Sequence, residues 1–145
     1  MECLGCRIVH QLEPAVNVVY ETESVIAVLD IDPFNDGHLL ILPKSHYVEL
    51  EEMDESTRRA IIETSAELSR LLKKALQPDG ITVCQNGGRF NDLGHYHMHL
   101  IPRYEGDGFE WSSPKEAFKT NRTLREIQCL LAAAQAASID GGETK

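Results

Sequence analysis

The sequence predicts an α+β domain: a five-stranded antiparallel sheet with a central helix and a C-terminal helix. Three observations carry this prediction. Five short runs have strand character, two longer stretches have helical spacing, and the order along the chain is strands, helix, strands, helix. Neighbouring runs are joined by tight polar turns, which pair strands antiparallel.

Residues 16–21 (VNVVYE) are rich in β-branched side chains, and 24–30 (SVIAVLD) follow after a polar turn, so the two read as a hairpin. Residues 39–42 form a continuous apolar run ended by Pro43, the pattern of a buried strand. Asp54 is placed to cap a helix whose stripe is Ile61, Ser65, Leu68, Leu72 and Ala75, and Pro78-Asp79-Gly80 ends it. Residues 81–85 and 95–102 supply the fourth and fifth strands. A second helix starts near Thr123, where Thr123 and Glu126 form a capping-box pattern ahead of Leu124, Ile127, Leu131 and Ala134.

The chain of 145 residues suits one domain, expected over 1–137 with a flexible tail at 138–145. Apolar residues make up 42%, enough for an ordinary core without disulfides. A net charge of -9 argues against a general nucleic-acid surface, while local donors can still hold a small anion. No run approaches the roughly 20 apolar residues of a membrane span, and the start lacks a signal-peptide pattern. A cytoplasmic protein is expected, whose four cysteines are thiols or metal ligands. Cys84 and Cys129 sit in apolar patterns and are expected in the core.

The segment His95-Tyr96-His97-Met98-His99-Leu100-Ile101-Pro102 is the most informative. Alternation along a strand puts the three histidines on one face and Tyr96, Met98 and Leu100 on the other. His95 and His99 are about 13 Å apart at strand rise. One metal ion with bonds of about 2 Å does not take all three, so their work is divided. A solvent-facing polar row and a metal-chelating ridge are the alternatives to a catalytic row. Neutral imidazole is nucleophilic near neutral pH, can attack phosphorus, and forms a bond that water then cleaves. A neighbouring histidine can donate to the phosphate oxygens or the leaving group.

This run resembles the signature of the histidine triad (HIT) family. Asp30-Ile31-Asp32-Pro33, Gly37-His38 and Ile41-Leu42-Pro43-Lys44-Ser45-His46 resemble the family's upstream block in order and spacing. The N-terminal Cys3-x-x-Cys6 followed by Arg7-Ile8-Val9 resembles the start of many bacterial members. The resemblance covers roughly residues 3 to 104. It implies a HIT-like fold, a homodimer, and a nucleotide hydrolase or nucleotidyl transferase acting on purine nucleoside 5′-phosphoramidates or related nucleotides. It implies that His97 is the nucleophile, that His99 contacts the phosphate, and that His38 supports that end. It further implies that Asp30 binds the ribose hydroxyls and Ile31 walls the base. By composition alone Asp30 also suits a turn.

Asn86 begins a glycine-containing loop, Asn86-Gly87-Gly88, whose backbone N–H groups can approach an anion, and is a candidate phosphate contact. The residues before the triad depart from many family members, which carry Gly-Gln-Ser or a similar run where this chain has Phe90-Asn91-Asp92-Leu93-Gly94. Asn91 is the candidate substitute there. A carboxylate would repel phosphate, so Asp92 is expected to face elsewhere. This departure keeps open a dinucleoside polyphosphate hydrolase, and beyond enzymes a nucleotide-binding or scaffold protein with little catalysis.

The Cys-x-x-Cys pair is a weak signal by itself. The resemblance implies the remaining ligands of a structural zinc, His46 and His95, completing a closed Cys2His2 set. His95 then has a structural task, and His97 and His99 remain for chemistry.

Overall fold

The computed structural model describes residues 3–112, 115 and 122–140. The described elements are α1 (Leu4–Val9), β1 (Val18–Glu21), β2 (Val25–Leu29), β3 (Leu39–Pro43), α2 (Glu55–Leu76), β4 (Gly80–Cys84), β5 (Met98–Arg103) and α3 (Leu124–Asp140). The strands form one antiparallel sheet in the order β1-β2-β3-β5-β4. The sheet and α2 are thus as the apolar patterns predicted.

The continuous apolar runs of β2 and β3 are explained by burial on both faces. Val25, Ala27, Leu39 and Ile41 pack with Tyr96, Met98 and Leu100 of the β5 segment against Ile61, Leu68 and Leu72 of α2. Ile26, Val28, Leu40 and Leu42 point the other way and pack with Val9 of α1, flanked by Ile8, Val16 and Leu93. At six residues α1 is too short to show a periodic signal, and it is capped by the Cys3 side chain.

Asp54 caps α2 through a 2.8 Å bond from Thr57 N–H, as expected, and Tyr47 donates to the same carboxyl. The buried stripe of α2 is Thr57, Ile61, Thr64, Leu68 and Leu72, so Thr64 takes the place expected for Ser65, and Ala75 is exposed. Gln77, in the left-handed conformation, ends the helix.

The strand expected over 95–102 starts later: ladder pairing runs from Met98 to Arg103, and His95, Tyr96 and His97 precede it. The Tyr96 N–H donates to Tyr47 O at 2.6 Å, and the His95 carbonyl is taken by the His97 ring at 2.9 Å. Alternation survives without the ladder. Tyr96 and Met98 enter the α2 core, while the histidines line the opposite face.

The chain divides into two compact units, Met1–Phe109 and Glu110–Lys145. The first holds the sheet, α1, α2 and both clusters. In the second, α3 starts on the expected capping box: Thr123 N–H donates to Glu126 at 2.6 Å, and Glu126 N–H returns a bond of 3.3 Å. Leu124, Leu131 and Ala134 of its stripe are exposed, and so is Cys129, which the apolar pattern had assigned to the core. Of the tail, Ser138–Asp140 are helical, and 141–145 lie outside the described residues.

The segment after β5, for which the sequence offered no reading, is organised by Arg103. Its guanidinium forks onto Asp107 at 2.6 and 2.7 Å, donates to Thr82 Oγ1 and Phe109 O, and stacks over the Phe109 ring at 4.2 Å.

Candidate active site

Two clusters of polar side chains flank the β5 segment on the α1 face. The first joins Cys3, Cys6, His46 and His95, whose ligand atoms lie within 4.8 Å of one another. Each sulfur sits 3.3–3.7 Å from the Nδ1 atoms of His46 and His95. A tetrahedral ion with bonds of about 2.3 Å to sulfur and 2.0–2.1 Å to nitrogen spaces such donors about 3.5 Å apart, so the set has the spacing of a four-coordinate S2N2 site. His95 is fully buried, and its Nε2–H donates to Pro43 O at 2.8 Å. That bond fixes the tautomer in which Nδ1 offers its lone pair to the cluster. Burial pushes the His95 ring below the ordinary histidine pKa, keeping it neutral as a ligand requires.

Gly5 makes the close approach of α1 possible. A β-carbon there would lie 2.1 Å from His95 Cβ, so only glycine fits between the two cysteines at this distance. Gly5 N–H also donates to Leu93 O at 3.3 Å, tying α1 to the loop before the triad.

The second cluster is built by His97, His99, His38, Asp30 and Asp92. His97 is buried, and its Nδ1–H donates to the His95 carbonyl at 2.9 Å. In the neutral ring this leaves a lone pair on Nε2. His99 stands next to it, ring centroids 4.8 Å apart. The third histidine comes from the turn before β3, where Gly37 at φ +83 opens the strand and Asp30 N–H donates to His38 O.

Backbone contacts also order the tautomers of His38 and His99. Phe34 N–H donates to His38 Nδ1 at 3.2 Å, so the His38 proton lies on Nε2. Nε2–H faces His99 Nδ1 at 2.9 Å and Asp30 Oδ2 at 3.5 Å. His99 therefore accepts at Nδ1 and keeps its proton on Nε2. Burial, reinforced by the neighbouring His97 and His38, pushes His99 down to about 4, and burial lowers His38 as well. Both rings are neutral at pH 7. Asp30 accepts from Asp32 N–H at 2.9 Å, the Asx turn that its sequence position suggested.

A pocket of about 500 Å³ opens over this cluster. His97, His99, Asp30 and Ile31 line it, with Leu29, Leu40, Val28, Leu93 and residues of α1 forming apolar walls. Ile31 is 82% exposed on one rim. The expected residues Asp30, Ile31, His97 and His99 thus come together, with His38 behind His99.

Asn86 and Asn91 are placed differently. Asn86 is exposed at the end of β4 and does not line this pocket. The anion approached by its glycine loop is the chain's own Glu49, which accepts from Gly88 N–H at 2.9 Å. Asn91 donates to Val48 O and accepts from the N–H groups of Leu93 and Gly94, so its amide anchors the loop. Asp92 corrects the sequence reading: it does not face elsewhere, but brings Oδ1 to 3.3 Å from His97 Nε2. Phosphate repulsion acts only when a phosphate is bound, whereas the anchors at 91, 93 and 94 dictate where residue 92 points.

Among known proteins, the HIT domain family matches residues 11–106. A HIT-like protein of Methanocaldococcus jannaschii is 44% identical over 108 residues, 73% of this chain and 82% of that protein. An Arabidopsis thaliana adenylylsulfatase, HINT3, is 33% identical over 114 residues, 77% of this chain and 57% of that one. Among solved structures, a HIT family protein from Bacillus anthracis superposes with a TM-score of 0.78 at 27% identity, covering 94% of this chain and 96% of that chain. A zinc-bound histidine triad family protein from Mycobacterium smegmatis superposes with a TM-score of 0.70 at 31% identity, covering 92% and 98%.

Proposed function

The chain belongs to the HIT domain family, and from that premise we propose that it is a nucleotide hydrolase or nucleotidyl transferase cleaving purine nucleoside 5′-phosphoramidates through a nucleotidyl-His97 intermediate. The observation that carries this reading is the His97 ring itself. Its Nδ1–H is committed to a backbone carbonyl, its Nε2 lone pair faces a pocket, and a neutral His99 stands beside it.

The chemistry follows from those tautomers. His97 Nε2 attacks phosphorus, the bond from phosphorus to the amine breaks, and the amine leaves with the electron pair and takes up a proton from solvent. His99 Nε2–H donates to the phosphoryl oxygens and stabilises the charge gathering there. Water then attacks phosphorus, releases the nucleotide, restores neutral His97 and returns the proton. His38 positions His99 through the 2.9 Å bond. Asp30 accepts from the ribose hydroxyls, Ile31 covers one face of the base, and Asn91 acts by holding the loop. Turnover of an adenosine phosphoramidate by the wild type and by His97→Ala tests the assignment: loss in the variant supports it, equal rates refute it.

The Cys3, Cys6, His46 and His95 set is read as a structural zinc site, since its donor types and spacing suit zinc and the set is closed. Bound zinc pins α1 to the start of the β5 segment and takes no part in the reaction. Metal analysis of protein purified without chelators tests this. About one equivalent supports it, and less than a tenth refutes it. A cytoplasmic setting, where thiols stay reduced, suits such a site. No described helix is long and apolar enough to cross a membrane.

A homodimer is also proposed. β4 is an open edge of the sheet, and its Val83 is 51% exposed. Sedimentation of the purified chain at the mass of two copies supports it.

A further inference from the structure

Asp92 stands beside the ring nitrogen to which the proposed function gives the attack on phosphorus. Asp92 Oδ1 lies 3.3 Å from His97 Nε2, with the histidine 1% and the aspartate 81% exposed. A reacting phosphorus must come to about 3–3.5 Å from the nucleophile before bond formation. The carboxylate and the phosphoryl group therefore share one small region in front of Nε2.

This placement is built into the loop. Asn91 Oδ1 accepts from Leu93 N–H at 3.2 Å and from Gly94 N–H at 3.1 Å, while Asn91 Nδ2 donates to Val48 O at 3.2 Å. Gly94 turns the chain at φ +61, and Leu93 packs beside the α1-face cluster. With both neighbours held, position 92 is directed over His97.

The rest of the pocket adds to the charge. Glu13, Asp30, Asp32 and Asp92 line it, and among the described residues no lysine or arginine does. Glu13 is paired with Arg7, whereas Asp92 carries its charge directly at the attacking atom.

We propose that Asp92 is a specificity-determining residue that selects by phosphoryl charge, favouring a nucleotide with one negative charge at the reacting phosphorus over one whose reacting phosphate is a dianion. This rests on His97 being the attacking group. Each further charge brought to about 4 Å from the carboxylate costs about fivefold in affinity in water, and more where protein replaces water. A phosphoramidate diester centre is a monoanion. The nucleoside monophosphate released by hydrolysis is a dianion above a second pKa of about 6. Asp92 therefore admits the substrate more readily than the product and speeds product departure.

The test compares two probes that share base and sugar: adenosine 5′-monophosphate and its 5′-methyl phosphate ester, a monoanion. Binding to wild type, Asp92→Asn and Asp92→Ser is measured by calorimetry at pH 8, in low and high salt. Wild type is expected to prefer the ester by about fivefold or more, and both variants to bring that preference below about twofold by tightening the monophosphate. High salt narrows the wild-type preference more than it narrows that of the variants. A preference equal in wild type and both variants overturns the proposal. So does a preference for the monophosphate in wild type. If wild type binds neither probe, the nucleotide reading fails and this one with it. If both bind with unchanged preference, only the role of Asp92 falls. The exposed position of the side chain makes loss of folding unexpected, and a melting curve for each variant checks it.

Discussion

His38 Nε2 and His99 Nδ1 lie 2.9 Å apart, and the backbone dictates which of them donates. Phe34 N–H occupies His38 Nδ1, so His38 is the donor and His99 turns its own N–H toward the pocket. His38→Ala is expected to lower kcat about 10–100-fold, the usual cost of losing a group that orients a functional side chain, with KM changing less than about threefold. Steady-state kinetics on a phosphoramidate checks this, and a change confined to KM contradicts it.

Gly5→Ala is expected to dismantle the metal cluster without touching a ligand. The new methyl would fall 2.1 Å from His95 Cβ, so α1 must move away and carry Cys3 and Cys6 out of reach. Metal content should fall from about one equivalent toward zero, and Tm should fall with it. A variant that keeps its metal and its Tm contradicts the packing described.

Much of this site was legible in the chain before folding. Alternation at 95–100 correctly assigned the histidines to one face and Tyr96, Met98 and Leu100 to the other, because period two survives even where ladder bonds do not. The ligand set Cys3, Cys6, His46 and His95 followed from the family resemblance, and the four do meet. What stayed hidden depends on contacts distant in sequence. α1 is six residues long and has no period to read; it forms where Val9 meets the sheet and Gly5 meets His95. Asn91 is the candidate substitute for the family's polar run, yet its bonds run to Val48 and to its own loop. Arg103 and Asp107 carried no motif, and their pairing appears only once β5 and the following turn are in place.

Stability should fall on the acid side because of His99. Its folded pKa of about 4 lies below the ordinary 6.5, so the unfolded chain binds the proton more readily. The folded state is therefore favoured above pH 6.5, and this advantage is lost as pH falls from 6.5 to about 4, by up to about 3 kcal/mol. Urea midpoints of wild type and His99→Gln across that range test it. The variant should show the shallower loss, and parallel curves contradict the prediction.

Asp107→Ala is expected to destabilise the turn after β5. It removes the carboxylate that receives the Arg103 fork and the Asn35 amide, and leaves a partly buried guanidinium without that acceptor. Arg103→Lys should destabilise too, since an ammonium keeps the charge but loses the fork and the stacking on Phe109. Thermal melts check both. An unchanged Tm in both variants contradicts the role given to this pair.

The central claim is that His97 Nε2 forms a bond to phosphorus. Rapid quenching of the enzyme with an adenosine phosphoramidate, followed by mass spectrometry of its peptides, tests this directly. An adenylyl group is expected on the peptide containing His97, formed within one turnover, decaying as the nucleotide appears, and absent from His97→Ala. An adduct on another residue, or full turnover by His97→Ala, would contradict it.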